Sequence, residues 1–489
     1  MTTALSLLRS TPAAEGVDPH GIHGFLDAVE SSPEIEPHSL MVVRHGRVVA
    51  SGWWAPYRAD RPHLLYSLSK SFTSTALGIA VDEGLLRLDD RVVDFFPECA
   101  VDDARTRSMR VRDLAAMSSG HLTDTWNAAL TADPDEPVRG FLRLPPERDP
   151  GSVFAYNQPA TYTLATILQR LAGGTLTEFL RPRLLDPIGV DFASWQQYPD
   201  GRDIGFSGLF ATTDTIARLG ELYLRRGLWN GRRIISESWV AEATRPHVST
   251  AGESNPDWRQ GYGFQFWMSR HGYRGDGAYG QFCLVLPDQD AVIAYTGATD
   301  DMQAVLDAAW QYLLPAFGGR SSGPADEALA HRLAELRLPA VPADPKPAGD
   351  PESWSRAFAP AGGHCAERPS LIGVEVSVVE PAVVLLEPGA ELRLRLGRGE
   401  WAVSGPAAGA GGAAVPVAVS GGWVDASTLR FDALFLETPH RLRVACDLTT
   451  GTFDATWVTA PLHPLSLREM HAPPRDAHPM NALSPSTAT

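Results

Sequence analysis

The chain has 489 residues, of which 44% are hydrophobic, and a formal charge of −16. That length exceeds one ordinary domain and predicts two. The acidic balance argues against nucleic acid or an anionic membrane surface as partner.

Cys99, Cys283, Cys365 and Cys446 follow neither a metal-site nor a disulfide-framework spacing, which suits a reducing compartment. The first residues lack a basic segment followed by an apolar one, and no uncharged apolar run reaches membrane-spanning length. The expected location is the cytoplasm, with no membrane contact.

In chain order, residues 18 to 30 read as an amphipathic helix with Ile22, Phe25, Leu26 and Val29 inward. Residues 39–43 and 47–53 flank His45-Gly46 as a hairpin. Next comes Tyr66-Ser67-Leu68-Ser69-Lys70-Ser71-Phe72-Thr73-Ser74, continued by small and apolar residues to Gly84. It predicts a largely buried helix that starts near Ser67 and stops at Gly84. Ser67 and Lys70, three apart, then share one face at its N-terminus.

Lys70 stands out for a second reason. Of 42 basic residues other than histidine, only Lys70 and Lys346 are lysines. Solvated surface accepts either residue, but a proton acceptor does not, because arginine keeps its proton. Lys346 sits in a Pro/Asp stretch and reads as surface. A hydroxyl beside an amine that burial can neutralise is the pairing an activated serine requires.

Residues 85 to 200 read as helical and irregular, with a polar excursion at 121–150 and a helix from 160 to Gly173-Gly174. A capped helix follows near 213–225. From 262 the period becomes two: strands at 262–267, 282–286 and 290–295, then a helix at 301–314. This ordering gives an antiparallel sheet with helices on both faces and a helical insertion to one side. Residues 317–370 read as linker around one helical patch at Glu327 to Leu338, 371–460 as a small all-β domain, and 461–489 as a flexible tail.

Ser67-Leu68-Ser69-Lys70 followed by Phe72-Thr73-Ser74-Thr75-Ala76 resembles the nucleophile motif of the serine β-lactamase and penicillin-binding superfamily. The nearest branch is the class C β-lactamase-related serine hydrolases, which include esterases and hydrolases of small amides. The resemblance covers roughly residues 12 to 316. It implies an α/β (α+β) sandwich beside a helical region.

Tyr156 matches the family's Tyr-x-Asn motif, with Asn157 in the middle and Gln158 where asparagine is usual. The third motif, usually Lys-Thr-Gly or His-x-Gly, is altered to Arg274-Gly275-Asp276-Gly277-Ala278-Tyr279. Asp276 falls where the family carries a cation. A carboxylate there repels a substrate carboxylate unless Arg274 compensates, so a neutral or amine-bearing ester or amide is expected.

The resemblance implies attack by Ser67, with Lys70 or a Tyr156 phenolate as base. It places Gln158, Asn157, Asp276, Gly277, Ala278 and Tyr279 at the substrate and oxyanion positions, with no metal and no cofactor. Hydrolysis leads. Acyl transfer through the same acyl-enzyme, and binding without catalysis, are the alternatives. A homo-oligomer is compatible with the sequence, and His121 reads as a loop residue.

Overall fold

The computed structural model describes residues 7–319, 323–342, 355–363, 370–377, 379–405, 416–463 and 466–473. Helix α1 (Pro19–Ser31) is capped by the Asp18 carboxylate and buries Ile22, Phe25, Leu26 and Val29. Strands β1 (Glu36–Arg44) and β2 (Arg47–Trp53) form the expected hairpin. His45 and Gly46 take φ of 51° and 73° at its turn, the left-handed pair that matches strand twist.

A 3₁₀ turn at Tyr66–Leu68 leads into α2 (Ser69–Asp82). Every residue of α2 from Ser69 to Ala80 is buried. Gly84, at φ 72°, ends it in the left-handed conformation, and the Gly84 and Leu85 amides bond back to Val81 and Ala80. The helical insertion contributes α3 (Gln158–Ala172), and α4 (Thr213–Leu224) follows.

Strands β3 (Trp267–Met268), β4 (Tyr273–Gly277), β5 (Gln281–Leu286) and β6 (Ala291–Ala298) complete a seven-stranded sheet. Its order is Leu8–Arg9, β2, β1, β6, β5, β4, β3, antiparallel apart from the edge pairing of Leu8–Arg9. Side chains alternate between two cores. Leu40, Val42, Leu284 and Ile293 pack with α1 and with α5 (Met302–Ala308). Met41, Val43, Val285 and Val292 pack with α2 and α4.

The expected strand at 262–267 is reduced to Trp267–Met268. Gln265 sits at φ 62°, out of the extended region. Its backbone and amide are committed elsewhere, to Ala115, Leu114, Thr161 and Ser71.

Within the stretch read as linker, Gly323–Ala334 is a helix that buries Leu329 and Leu333 against the first core, and Arg356–Pro360 is a strand of the C-terminal sheet. The linker expected at 343–354 and 364–369 and the tail expected at 474–489 lie outside the described residues. Leu467 and Met470 pack into the C-terminal core.

The C-terminal strands form one mostly antiparallel sheet with a core of its own, including Val383, Leu385, Phe431 and Val444. This sheet docks on the first domain. Ala418, Leu434 and Leu436 join the core around α1, Arg441 pairs with Glu36, and the Leu64 amide donates to Glu437 O at 2.7 Å. No helix among the described residues is long and apolar enough to cross a membrane.

Candidate active site

The hydroxyls that crowd α2 have a structural task. Ser71 donates to Gln265 O, Ser74 to Phe264 O and Thr73 to Gly205 O, while Ser69 accepts from the Leu209 amide. A wholly buried helix thereby satisfies the irregular segments packed around it. Those segments, 204–209 and 262–266, are held against the helix start, where Ser67 is half-buried and Lys70 is 1% exposed.

Lys70 Nζ has three oxygen neighbours: Ser67 Oγ at 3.0 Å, Gln158 Oε1 at 2.7 Å and Phe206 O at 2.8 Å. It also lies 4.6 Å from the Tyr156 ring centroid. Burial lowers the amine to about 7, with Asp124 and Asp276 opposing the shift. A neutral amine has two hydrogens and one lone pair. Gln158 Oε1 and Phe206 O can only accept, so they take the two hydrogens. The lone pair is left for the Ser67 hydroxyl.

Tyr156 stacks on Trp267, with centroids 5.6 Å apart at 23°. Burial pushes its phenol far above the ordinary range, and the Asp276 charge adds to that. The Ser67 hydroxyl and Arg274 act the other way. Tyr156 is therefore a neutral phenol at neutral pH.

Asn157 is fully buried. Its Oδ1 accepts from the Thr125 amide and hydroxyl at 2.8 and 3.0 Å, and its Nδ2 donates to Ser119 Oγ at 3.3 Å. These bonds pin the loop that carries Asp124, whose carboxylate accepts from the Gln158 amide at the start of α3. His121 bonds Ser119 Oγ and Leu144 O within the same region.

Strand β4 brings the altered third motif against the nucleophile turn. A Cβ on Gly277 would fall 2.0 Å from Leu65 O and 3.1 Å from the Leu68 nitrogen, and one on Gly275 would strike Leu68 and Ser71. Only glycine permits that approach. Ala278 and Tyr279 make the following turn, with Tyr279 at φ 66°.

Asp276 is paired. Arg274 Nε donates to its Oδ2 at 2.9 Å, and the guanidinium lies over Trp258 and bonds Asp257 O, Met268 O and Ser269 Oγ. Burial raises the Asp276 carboxyl, with Arg274 the main opposing influence. The compensation by Arg274 that the sequence left conditional is present.

Asp124, Phe206, Tyr66 and His440 were not singled out from sequence as site residues. Phe206 acts through its carbonyl, which no side-chain pattern reveals. Tyr66 hydrogen-bonds His440 Nε2 at 2.8 Å, a contact spanning 374 positions. Among the described residues, no group of three or more His, Cys, Asp or Glu side chains could hold a metal ion.

Fold and site together define a serine hydrolase of the esterase/amidase type. The family model described as Beta-lactamase matches residues 27–316, and the chain belongs to that family. It is 26% identical over 288 residues to the 6-aminohexanoate-dimer hydrolase of Paenarthrobacter ureafaciens, covering 54% of this chain and 73% of that one. It is 29% identical over 181 residues to the lovastatin esterase of Penicillium rubens, covering 32% of this chain and 45% of that one. The solved structure of EstCE1, described as a hydrolase with promiscuous acyltransferase activity, shares the fold. Its TM-score is 0.50 at 17% identity, over 62% of this chain and 99% of that one.

Proposed function

We propose that the protein hydrolyses a neutral or amine-bearing ester or small amide through an acyl-enzyme on Ser67, with Lys70 as the base. The carrying observation is the set of Lys70 contacts: two obligate acceptors and one hydroxyl around an amine that burial brings to about 7. As Ser67 Oγ bonds to the substrate carbonyl carbon, its proton moves to Lys70 Nζ. The carbonyl oxygen, now negative, sits between the Ser67 amide and an amide of the 278–279 turn.

Collapse of the intermediate expels the alcohol or amine. Tyr156, protonated at neutral pH, gives the leaving group its proton and is replenished from the Lys70 ammonium. Water then repeats the sequence on the acyl-enzyme and releases the acid. Gln158 holds Lys70, while Asn157 and Asp124 hold the start of α3. The carboxylate preference is weak because the Arg274–Asp276 pair presents no net charge. The activities named for the two relatives, a 6-aminohexanoate-dimer hydrolase and a lovastatin esterase, support a serine hydrolase of this type.

The test is turnover of a neutral ester and amide panel by wild type and Ser67→Ala, with products weighed by mass spectrometry. Free acid from wild type alone supports hydrolysis. Acyl groups found only on an added alcohol or amine would replace it with acyl transfer. Equal product from Ser67→Ala would remove Ser67 from the reaction.

A further inference from the structure

A cavity of about 650 Å³, within the size range of small-molecule sites, is lined by residues that neighbour or contact Ser67 and Lys70 rather than by those two themselves. Phe206, whose carbonyl bonds Lys70, and Tyr66, the residue before Ser67, both line it. One wall comes from the helical region and the segment after it, with Trp126, Leu130 and Ile204. The other comes from the C-terminal domain and the chain beyond it, with His440, Pro461 and Met470.

The C-terminal wall is fastened to the catalytic machinery at two points. Tyr66 OH bonds His440 Nε2 at 2.8 Å, and His440 Nδ1 bonds Thr459 O at 3.2 Å. Since that carbonyl only accepts, Nδ1 carries the proton and Nε2 accepts from Tyr66. Tyr279, from the turn beside Gly277, donates to Ala460 O at 2.5 Å. The Tyr66 and Tyr279 rings meet edge to face at 5.6 Å. The residues flanking the reacting centre on both sides are thus held by phenol hydroxyls reaching into the C-terminal domain.

Among the described residues of the lining, Glu469 is the only lysine, arginine or carboxylate side chain, and its Oε2 is engaged by the amide and hydroxyl of Ser466. Aromatic and aliphatic side chains make up much of the rest. The polar remainder includes His463, His471, Gln196 and Gln197, but the greater part of the surface gains from burying apolar groups.

We infer that the C-terminal β domain completes the substrate site, and that this shared cavity binds an uncharged apolar group of the substrate. The inference rests on the serine hydrolase reading above and adds the substrate class. The group is either the acyl chain or the alcohol part, and the test separates the two.

Two substrate series are measured with the full chain. p-Nitrophenyl acetate to octanoate varies the acyl chain. Ethyl to octyl acetate, followed by acid release, varies the alcohol. Burying a methylene is worth up to about fourfold in kcat/KM. In one series, the wild-type ratio of longest to shortest substrate is expected to exceed about 100. Met470→Trp and Leu130→Trp, which narrow the cavity from opposite walls, are each expected to cut that ratio about tenfold.

Both ratios come from one preparation, so a loss of folded enzyme cancels. A rise confined to the p-nitrophenyl series assigns the acyl chain, and one confined to the acetates assigns the alcohol. If wild type turns over the short esters but neither ratio rises, or neither variant changes it, the inference fails and the hydrolase reading stands. If wild type hydrolyses nothing and Ser67 takes no covalent probe, both fail.

Discussion

Lys70 Nζ lies 3.0 Å from Ser67 Oγ while its two shorter contacts, to Gln158 Oε1 and Phe206 O, are to groups that cannot donate. This arrangement makes the charge state of one amine the switch for the serine. Burial brings Lys70 to about 7, so kcat/KM should rise with pH and level off above an inflection near 7. The protonated form, dominant below the inflection, has no lone pair to give. Lys70→Arg keeps the charge and cannot lose it, and should cost on the order of 10³-fold in kcat. A flat profile from pH 5 to 8, or an active arginine variant, would contradict this role.

The Arg274–Asp276 pair sets the charge preference. Asp276→Asn removes the carboxylate paired with the guanidinium near Tyr156, and with it a negative charge that Lys70 feels. The ratio of kcat/KM for a carboxylate-bearing ester over its neutral analogue should rise on the order of tenfold. Each substitution also strands one buried charge, so both variants should be destabilised, Arg274→Met by about 3–5 kcal/mol. Denaturant titration of the two variants checks this. Wild-type stability in either variant would mean that the pair is not a unit.

Gly277 allows β4 to touch the nucleophile turn. Its replacement by alanine must move Leu65 or the strand, since the added carbon would lie 2.0 Å from a carbonyl oxygen. A displacement of about 1 Å at the reacting centre costs on the order of 10²-fold. Gly277→Ala should lose that much kcat/KM with unchanged circular dichroism. Gly252, whose added Cβ would meet no atom within 4 Å and whose φ is not in the left-handed region, provides the control through Gly252→Ala. Wild-type rates for Gly277→Ala would show that the approach is slack.

His440 couples pH to the stability of the domain interface. Burial lowers it to about 3, against about 6.5 in the unfolded chain. A histidine depressed in the fold leaves stability intact above 6.5, and stability falls as pH drops from there toward 3. At pH 5 the loss attributable to His440 is about 2 kcal/mol. Burial depresses His63 in the same direction. Urea unfolding at pH 8 and pH 5 should show the loss, and His440→Gln should shrink it by that amount. An undiminished loss in the variant would place the effect elsewhere.

Local chemistry was readable from the chain. The His45-Gly46 hairpin, the stop at Gly84 and the pairing of Ser67 with Lys70 follow from turn preferences and helical spacing. The scarcity of lysine drew attention to Lys70 before any geometry was known. What escaped depends on tertiary context. Gln265 reads as a strand residue because its neighbours alternate, yet its buried amide and backbone are needed by Ala115 and Thr161. Asn157 looks like a substrate ligand by motif position, and its amide is spent on Thr125 and Ser119. The bond from Tyr66 to His440 joins residues that no local pattern connects. The C-terminal wall of the cavity was invisible for the same reason.

The most direct measurement is intact mass after exposure to a fluorophosphonate, for wild type, Ser67→Ala and Lys70→Ala. The account predicts a single adduct on wild type, none on Ser67→Ala, and labelling of Lys70→Ala slowed on the order of 10³-fold. A folded wild type that takes no adduct, or an adduct that survives Ser67→Ala, would contradict it.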